Sequence, residues 1–243
     1  SSEDAAAAQR DLEFQAGWFA DPLYFGDYPA SMRQLVGDRL PVFTAEEQSK
    51  VKGSLDFYAL NHYSSRYYAN CGEGCQPVQS NGWFDDQQAT VGNVNSDGEV
   101  IGPVAESVWL NVVPAGIHDV LVWISERYNY PVIYITENGV DAPGESQMSI
   151  HDALNDTFRV DFYRDYIDNV LEAVTTGGVD VRVYFAWSLL DNFEWSDGYN
   201  CRFGLHYVDY TATNLTRYPK KSALWYKEFI KANPNPNPNI TYY

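Results

Sequence analysis

The chain has 243 residues, 45% of them hydrophobic and a net charge of −17, so it can bury a sizeable core and is not wholesale disordered. That negative balance argues against nucleic acid and anionic membranes as partners, because both present phosphate; it fits a soluble protein with a neutral substrate. No apolar run is long enough to span a bilayer, and no leader is legible in these residues, so any secretion signal is expected to have been removed or to lie outside this chain.

Aromatic residues make up 16% of the chain, with 19 Tyr and seven Trp. Many of these rings must fill a core. Flat apolar rings with polar edges also suit the faces of sugars.

In chain order, residues 1–14 read as a helix with Asp4 near its start. The passage Gly17–Pro29 reads as turn-rich. Thr44-Ala-Glu-Glu47 is a capping box that opens a short helix ended by Gly53. Asp56–Tyr63 reads as a strand carrying Asn61, His62 and Tyr63 at its end. Residues 64–113 show no sustained period, as in a long irregular segment over a binding site. Within it Cys71 and Cys75 bracket Gly-Glu-Gly, and a disulfide closing that small loop is expected. A metal there is disfavoured, since no His or further Cys stands at ligand spacing. Cys201 is left over as a buried thiol. No cofactor is implied.

Ile117, Val120, Leu121, Ile124 and Tyr128 recur at helical spacing and lead into a strand at Val132. Its β-branched and aromatic run ends at Glu137-Asn-Gly, with Asn138-Gly139 read as a stop tolerant of positive φ. Residues 151–175 read as one long amphipathic helix with Phe158, Phe162, Tyr166 and Val170 in a row, ended by Gly177-Gly178. Residues 181–189 read as the next strand and 222–232 as a terminal helix. The stretch 234–243 is a Pro/Asn-rich tail, extended and separate from the domain at 1–233. Sequons at Asn155, Asn214 and Asn239, with the Cys pair, point to a secreted or lumenal glycoprotein.

Repeated βα units imply an α/β fold with a parallel sheet. A whole eight-stranded barrel needs about 250 residues, but only three good strands are legible. A doubly wound sheet is the open alternative, though no Gly-x-Gly-x-x-Gly turn follows any strand. By position alone, Glu137 is a carboxylate on the C-terminal lip of a buried strand, where β/α proteins do chemistry; a solvated strand-end acid is the rival reading.

Several longer motifs resemble glycoside hydrolase family 1, the retaining β-glycosidases. Ile-Thr-Glu137-Asn-Gly is similar to that family's nucleophile motif on strand seven. Gly17-Trp-Phe, Asp21-Pro-Leu, Gly26-Asp-Tyr-Pro and Arg39-Leu-Pro resemble its passage between strands five and six. Leu60-Asn61-His62-Tyr63 resembles strand six. Trp109, Pro114 and Gly116 resemble the lead into strand seven. Trp187-Ser-Leu-Leu-Asp-Asn-Phe-Glu194-Trp195 with Arg202-Phe203-Gly-Leu resembles the strand-eight signature. The resemblance implies the C-terminal half of a (β/α)8 barrel, about strands 6–8 with their helices.

It also implies roles. Glu137 would attack the anomeric carbon. Tyr63 would touch that nucleophile, and Asn61 would lie near it and the sugar 2-hydroxyl; a packed aromatic and a strand-capping amide are the rival readings. Glu194 and Trp195 would bind the outer hydroxyls, over an indole floor at Trp187. Trp109 would carry the leaving group, and Phe203 would join the substrate-binding set. The family's Asn-Glu-Pro acid/base motif is absent, and a retaining mechanism needs two carboxyl groups about 5–5.5 Å apart. An N-terminal half of the same barrel is therefore the expected partner, and a small neutral β-glucoside the expected substrate. A non-catalytic sugar-binding relative and a thioglycosidase remain as alternatives.

Overall fold

A computed structural model describes residues 1–71 and 82–234. Helices α1 (Ser2–Leu12), α2 (Trp18–Phe25), α3 (Ala30–Val36) and α4 (Ala45–Val51) come first. Then follow β1 (Tyr58–Asn61), β2 (Tyr67–Asn70), α5 (Trp83–Asp86), β3 (Ala89–Gly92), α6 (Pro114–Arg127) and β4 (Val132–Asn138). The remainder is α7 (Ile150–Ala153), α8 (Thr157–Thr175), β5 (Asp180–Ala186), β6 (His206–Val208), β7 (Arg217–Pro219) and α9 (Lys221–Ala232). Two compact units emerge: residues 1–58 with 66–101, and residues 59–65 with 102–243.

In the first unit Phe14, Met32 and Leu40 form a buried cluster, with Trp18, Tyr28, Leu35, Val36 and Trp83 packed on it. The antiparallel β2–β3 pair is tied to α1 by Arg10, whose Nε donates to the Gln87 carbonyl (2.9 Å) and whose Nη2 donates to Asn70 Oδ1 (2.7 Å). The capping box stands as expected, with Thr44 Oγ1 accepting from the Glu47 amide and the Glu47 carboxylate from the Thr44 amide. The passage expected to be turn-rich holds α2, reached through a π-turn at Glu13–Gly17. Pro22 lies within that helix and is buried with Ala20 and Asp21; packing overrides the turn propensity, and Gly26 at φ +88° ends the helix. Residues 64–113 likewise contain β2, α5 and β3, pieces too short to show a period.

The second unit holds the three-stranded sheet in the order β1-β4-β5, with β4 and β5 parallel. Helix α6 starts at Pro114, whose fixed φ suits a first helical position, and its Ile117, Leu121 and Ile124 are fully buried. Helices α6 and α8 pack together, and Ile133 and Ile135 of β4 are fully buried. Each such aliphatic side chain contributes about 1.5–3 kcal/mol on burial. The alternation of these two buried positions with Tyr134 and Thr136 shows the period-2 pattern of a strand.

Two further points differ from the sequence reading. The helix expected over 151–175 is two helices, broken at Leu154–Asp156, where the Asp156 backbone leaves helical angles (φ −74°, ψ +60°) and its carboxylate accepts from Arg159 and Ser222. Its buried stripe is Arg159, Phe162, Tyr163, Tyr166, Val170 and Ala173, with Phe158 at the edge. The second is β6–β7, a short antiparallel pair before α9 that the sequence did not announce. Cys75, Asn239 and all of the tail except Pro234 lie outside the described residues.

Candidate active site

Glu137 sits one residue before the end of β4. The backbone amide of His62, just past β1, donates to its carbonyl at 3.0 Å, so the ladder holds its main chain on one side. On the other side the Trp187 amide donates to the Asn138 carbonyl at 2.8 Å. Asn138 is fully buried and has both faces of its amide used: Nδ2 donates to the His62 carbonyl (2.7 Å) and Oδ1 accepts from the Tyr184 hydroxyl (2.5 Å). The lips of β1, β4 and β5 are thereby locked side by side.

Gly139 follows for a reason other than the one expected. Its φ is not positive; a Cβ there would stand 1.8 Å from the Trp187 carbonyl oxygen. That close approach of β4 to the end of β5 is what demands glycine.

The Tyr63 hydroxyl donates to Glu137 Oε2 at 2.6 Å. Burial raises the Tyr63 phenol well above its ordinary range, and the neighbouring Glu137 carboxylate adds to it, so Tyr63 stays a donor. Its ring is fixed by edge contacts with Trp109 (5.8 Å between centroids) and Phe203 (6.1 Å). Phe203 is only 2% exposed. It therefore backs Tyr63, instead of presenting a face to substrate as its place in the substrate-binding set implied. Trp109 is partly open. Asn61 is exposed, and its Oδ1 accepts from Thr136 Oγ1 at 2.7 Å, so it bonds the residue before Glu137.

Past β5, Trp187 is half-buried, and its Nε1 donates to Glu194 Oε1 at 3.3 Å. Tyr163 of α8 donates to the Trp187 carbonyl at 2.9 Å. The Trp187–Ser188 peptide bond is cis. Glu194 is 8% exposed. Burial raises its carboxyl above the ordinary range, and the negative charges of Asp141 and Glu137 push the same way. Trp195 stands largely in the open at 82% exposure. The site thus brings together Glu137, Tyr63, Asn61, Trp109, Trp187 and Glu194, with Trp195 projecting beside them.

Sequence reasoning missed the supports: Asn138, Tyr163, Tyr184 and a set of buried charges behind the loops. Asp141 is fully buried and accepts from both the Ser107 amide (2.8 Å) and hydroxyl (2.6 Å). The Ser107 hydroxyl also lies 3.4 Å from Cys201 Sγ. The acids Asp141, Asp156 and Asp191 stand next to turn residues, where an acid is ordinary, so their burial left no local signal.

Parallel strands joined by helical crossovers, with Glu137 and Glu194 at or beyond their C-terminal ends, define part of a (β/α)8 barrel. The family model for glycosyl hydrolase family 1 matches residues 1–235. The chain belongs to that family. It is 48% identical over 228 residues to beta-glucosidase 6 of Oryza sativa subsp. japonica, covering 94% of this chain and 43% of that protein. It is 49% identical over 232 residues to beta-glucosidase 42 of Arabidopsis thaliana, covering 95% and 46%. Among solved structures, a beta-glucosidase from the fungus Humicola insolens in complex with glucose superposes with a TM-score of 0.89 at 45% identity, covering 96% of this chain and 47% of that one. An aphid myrosinase superposes at 0.79 with 32% identity, covering 95% and 48%. The chain spans about half the length of the relatives it matches. Its β1, β4 and β5 fall where the sequence expected barrel strands six, seven and eight.

Proposed function

We propose that this chain is the C-terminal half of a retaining β-glycosidase of the β-glucosidase type, hydrolysing terminal non-reducing β-D-glucosyl residues of small neutral glycosides. The observation that carries the reading is the 2.6 Å contact between Tyr63 and Glu137 on the lip of β4, beside the Trp187–Glu194 edge. Glu137 Oε attacks the anomeric carbon, and the bond to the leaving oxygen breaks as an acid protonates it. Water then displaces Glu137 from the glycosyl-enzyme. Tyr63 holds the carboxylate in one rotamer for the attack. Glu194 accepts from the outer hydroxyls of the sugar, Trp187 lies under its apolar face, and Trp109 and Trp195 flank it.

The acid/base carboxyl comes from an N-terminal half. In support, β1 and β5 are both edges of the sheet, and large apolar side chains such as Phe185 (54% exposed) stand open beside them. The isolated chain should then lack activity and aggregate, and adding the N-terminal half should restore both solubility and hydrolysis.

The experiment is hydrolysis of an aryl β-glucoside by the complete enzyme. Glu137→Gln should lower turnover by several orders of magnitude and abolish covalent labelling by a 2-fluoro-glycoside. Unchanged turnover in that variant excludes Glu137 as nucleophile and favours a sugar-binding role. An aryl thioglucoside in the same assay tests the S-glycosidase alternative.

The same reading extends to a secreted or lumenal protein with a Cys71–Cys75 disulfide and glycans at Asn155, Asn214 and Asn239. Asn155 and Asn214 are both exposed, and Asn214 Oδ1 accepts from Thr216 Oγ1 at 2.8 Å within its own sequon. Peptide mass mapping before and after reduction and deglycosylation tests these assignments; two freely alkylated thiols without reductant, or unmodified Asn155 and Asn214 peptides, exclude them.

A further inference from the structure

Behind the site lies a group of six ionic side chains that the proposed chemistry does not use. Lys220, Arg159, Glu145, Asp156 and Asp191 are all buried, Lys220 and Arg159 completely. Arg202 joins them at the edge. Lys220 is central. Its ammonium donates to Glu145 and, at 3.1 Å, to Asp191 Oδ1. Glu145 also accepts from Arg159 Nη2 at 2.5 Å, and Asp191 from Arg202 Nη1 at 2.5 Å. Three cations face three anions.

The placement of the two carboxylates on Lys220 matters. Glu145 lies in the loop after β4, the strand that carries Glu137. Asp191 lies in the loop after β5, three residues before Glu194. Asp191 also accepts from the amides of Gly204 (3.0 Å) and Val208 (3.2 Å), and its carbonyl takes the Tyr210 hydroxyl (2.8 Å). The path from Ala186 to Glu194 is also held on its own side by backbone bonds to the 203–206 segment, Ser188 donating to the Phe203 carbonyl (3.1 Å) and Asp191 to the His206 carbonyl (3.0 Å), while Lys220 ties it to the loop after β4. One ammonium thus joins the loops that hold both functional carboxylates. A buried ion pair adds little stability over a well-packed apolar replacement, so its worth lies in fixing geometry.

We propose that Lys220 is a positioning residue for the sugar-binding edge formed by Trp187 and Glu194. The inference rests on the glycosidase reading above. Lys220 touches no substrate; it sets where Glu194 stands by holding Asp191 against Glu145. Displacing Glu194 should weaken recognition of the sugar's outer hydroxyls more than it slows attack by Glu137.

The test compares 4-nitrophenyl β-D-glucoside with 4-nitrophenyl β-D-xyloside, which lacks the hydroxymethyl group, in the complete enzyme. Lys220→Met should raise KM for the glucoside with a smaller change in kcat, and lower the glucoside-to-xyloside ratio of kcat/KM roughly tenfold, the scale of one displaced hydrogen bond to a charged group. Because that variant leaves a buried negative charge in excess, the charge-balanced Lys220→Met/Glu145→Gln is measured beside it. It should recover the yield of folded enzyme but not the ratio.

An unchanged ratio in either folded variant overturns the inference, even if its melting temperature falls. So does a double variant that regains the ratio. A double variant that fails to fold counts the same way, since Lys220 would then hold up the whole fold instead of one edge of the site. A wild-type enzyme that cleaves neither glycoside overturns the glycosidase reading, and this inference with it.

Discussion

Tyr63 and Glu137 lie 74 positions apart in the chain and meet at 2.6 Å, phenol to carboxylate. The contact exists because β1 and β4 are hydrogen-bonded neighbours whose ends are aligned by the His62 amide on the Glu137 carbonyl. Trp109 and Phe203 wedge the Tyr63 ring from two sides, so the hydroxyl has little freedom to point elsewhere.

Removing that hydroxyl should cost activity without unfolding the enzyme. A hydrogen bond to a charged group is worth about 1.5–3 kcal/mol. Tyr63→Phe in the complete enzyme should lower kcat/KM for an aryl β-glucoside by roughly 10–100-fold. The far-ultraviolet circular dichroism spectrum should not change. Wild-type kinetics would mean that Glu137 holds its rotamer by other means.

Gly139→Ala should damage both fold and site. The added methyl would start 1.8 Å from the Trp187 carbonyl oxygen, which is backbone and cannot swing away. Separating β4 from the end of β5 should destabilise the protein by about 1–3 kcal/mol or more. Thermal melts read the loss. A melting temperature equal to wild type would show that the strand ends relax freely.

The core of the second unit offers a stability control away from the chemistry. Leu121 is fully buried on α6. Leu121→Ala should cost about 2–5 kcal/mol in urea unfolding, with kcat/KM of the folded fraction unchanged. A loss under about 1 kcal/mol would mean that the cavity collapses.

His62 supplies a pH dependence with a definite sign. Burial lowers its imidazole to about 4, and its Nδ1 is buried without a partner among the described residues. Its ordinary value is about 6.5. Between those values the unfolded chain binds the proton and the native state does not, so this residue's contribution falls as pH drops from about 6.5 towards 4. Burial raises Asp141 and Glu194, and such acids act in the opposite direction as pH rises. An NMR titration should find the His62 ring neutral at pH 5.5. A charged ring at that pH would refute the assignment, and His62→Asn should flatten the acid limb of a stability–pH curve.

The sequence alone determined the strand at Val132 and the placing of Glu137 on its lip. Local preference suffices for this: a run of β-branched residues ended by Glu-Asn-Gly reads the same in any context. It also carried the motifs that put Trp187 and Glu194 seven residues apart beyond the next strand. Tertiary structure decided the rest. Only packing could make Phe203 a buried support for Tyr63, turn the buried stripe of α8 onto Arg159, or require glycine at 139 for close approach instead of positive φ. The buried charges show the reason most plainly. Nothing in the sequence marks Lys220, Glu145 or Asp191 as buried, because a charge has no local signature of burial. Its cost is met by partners up to 75 positions away, and those are neighbours only once the sheet and its loops are assembled.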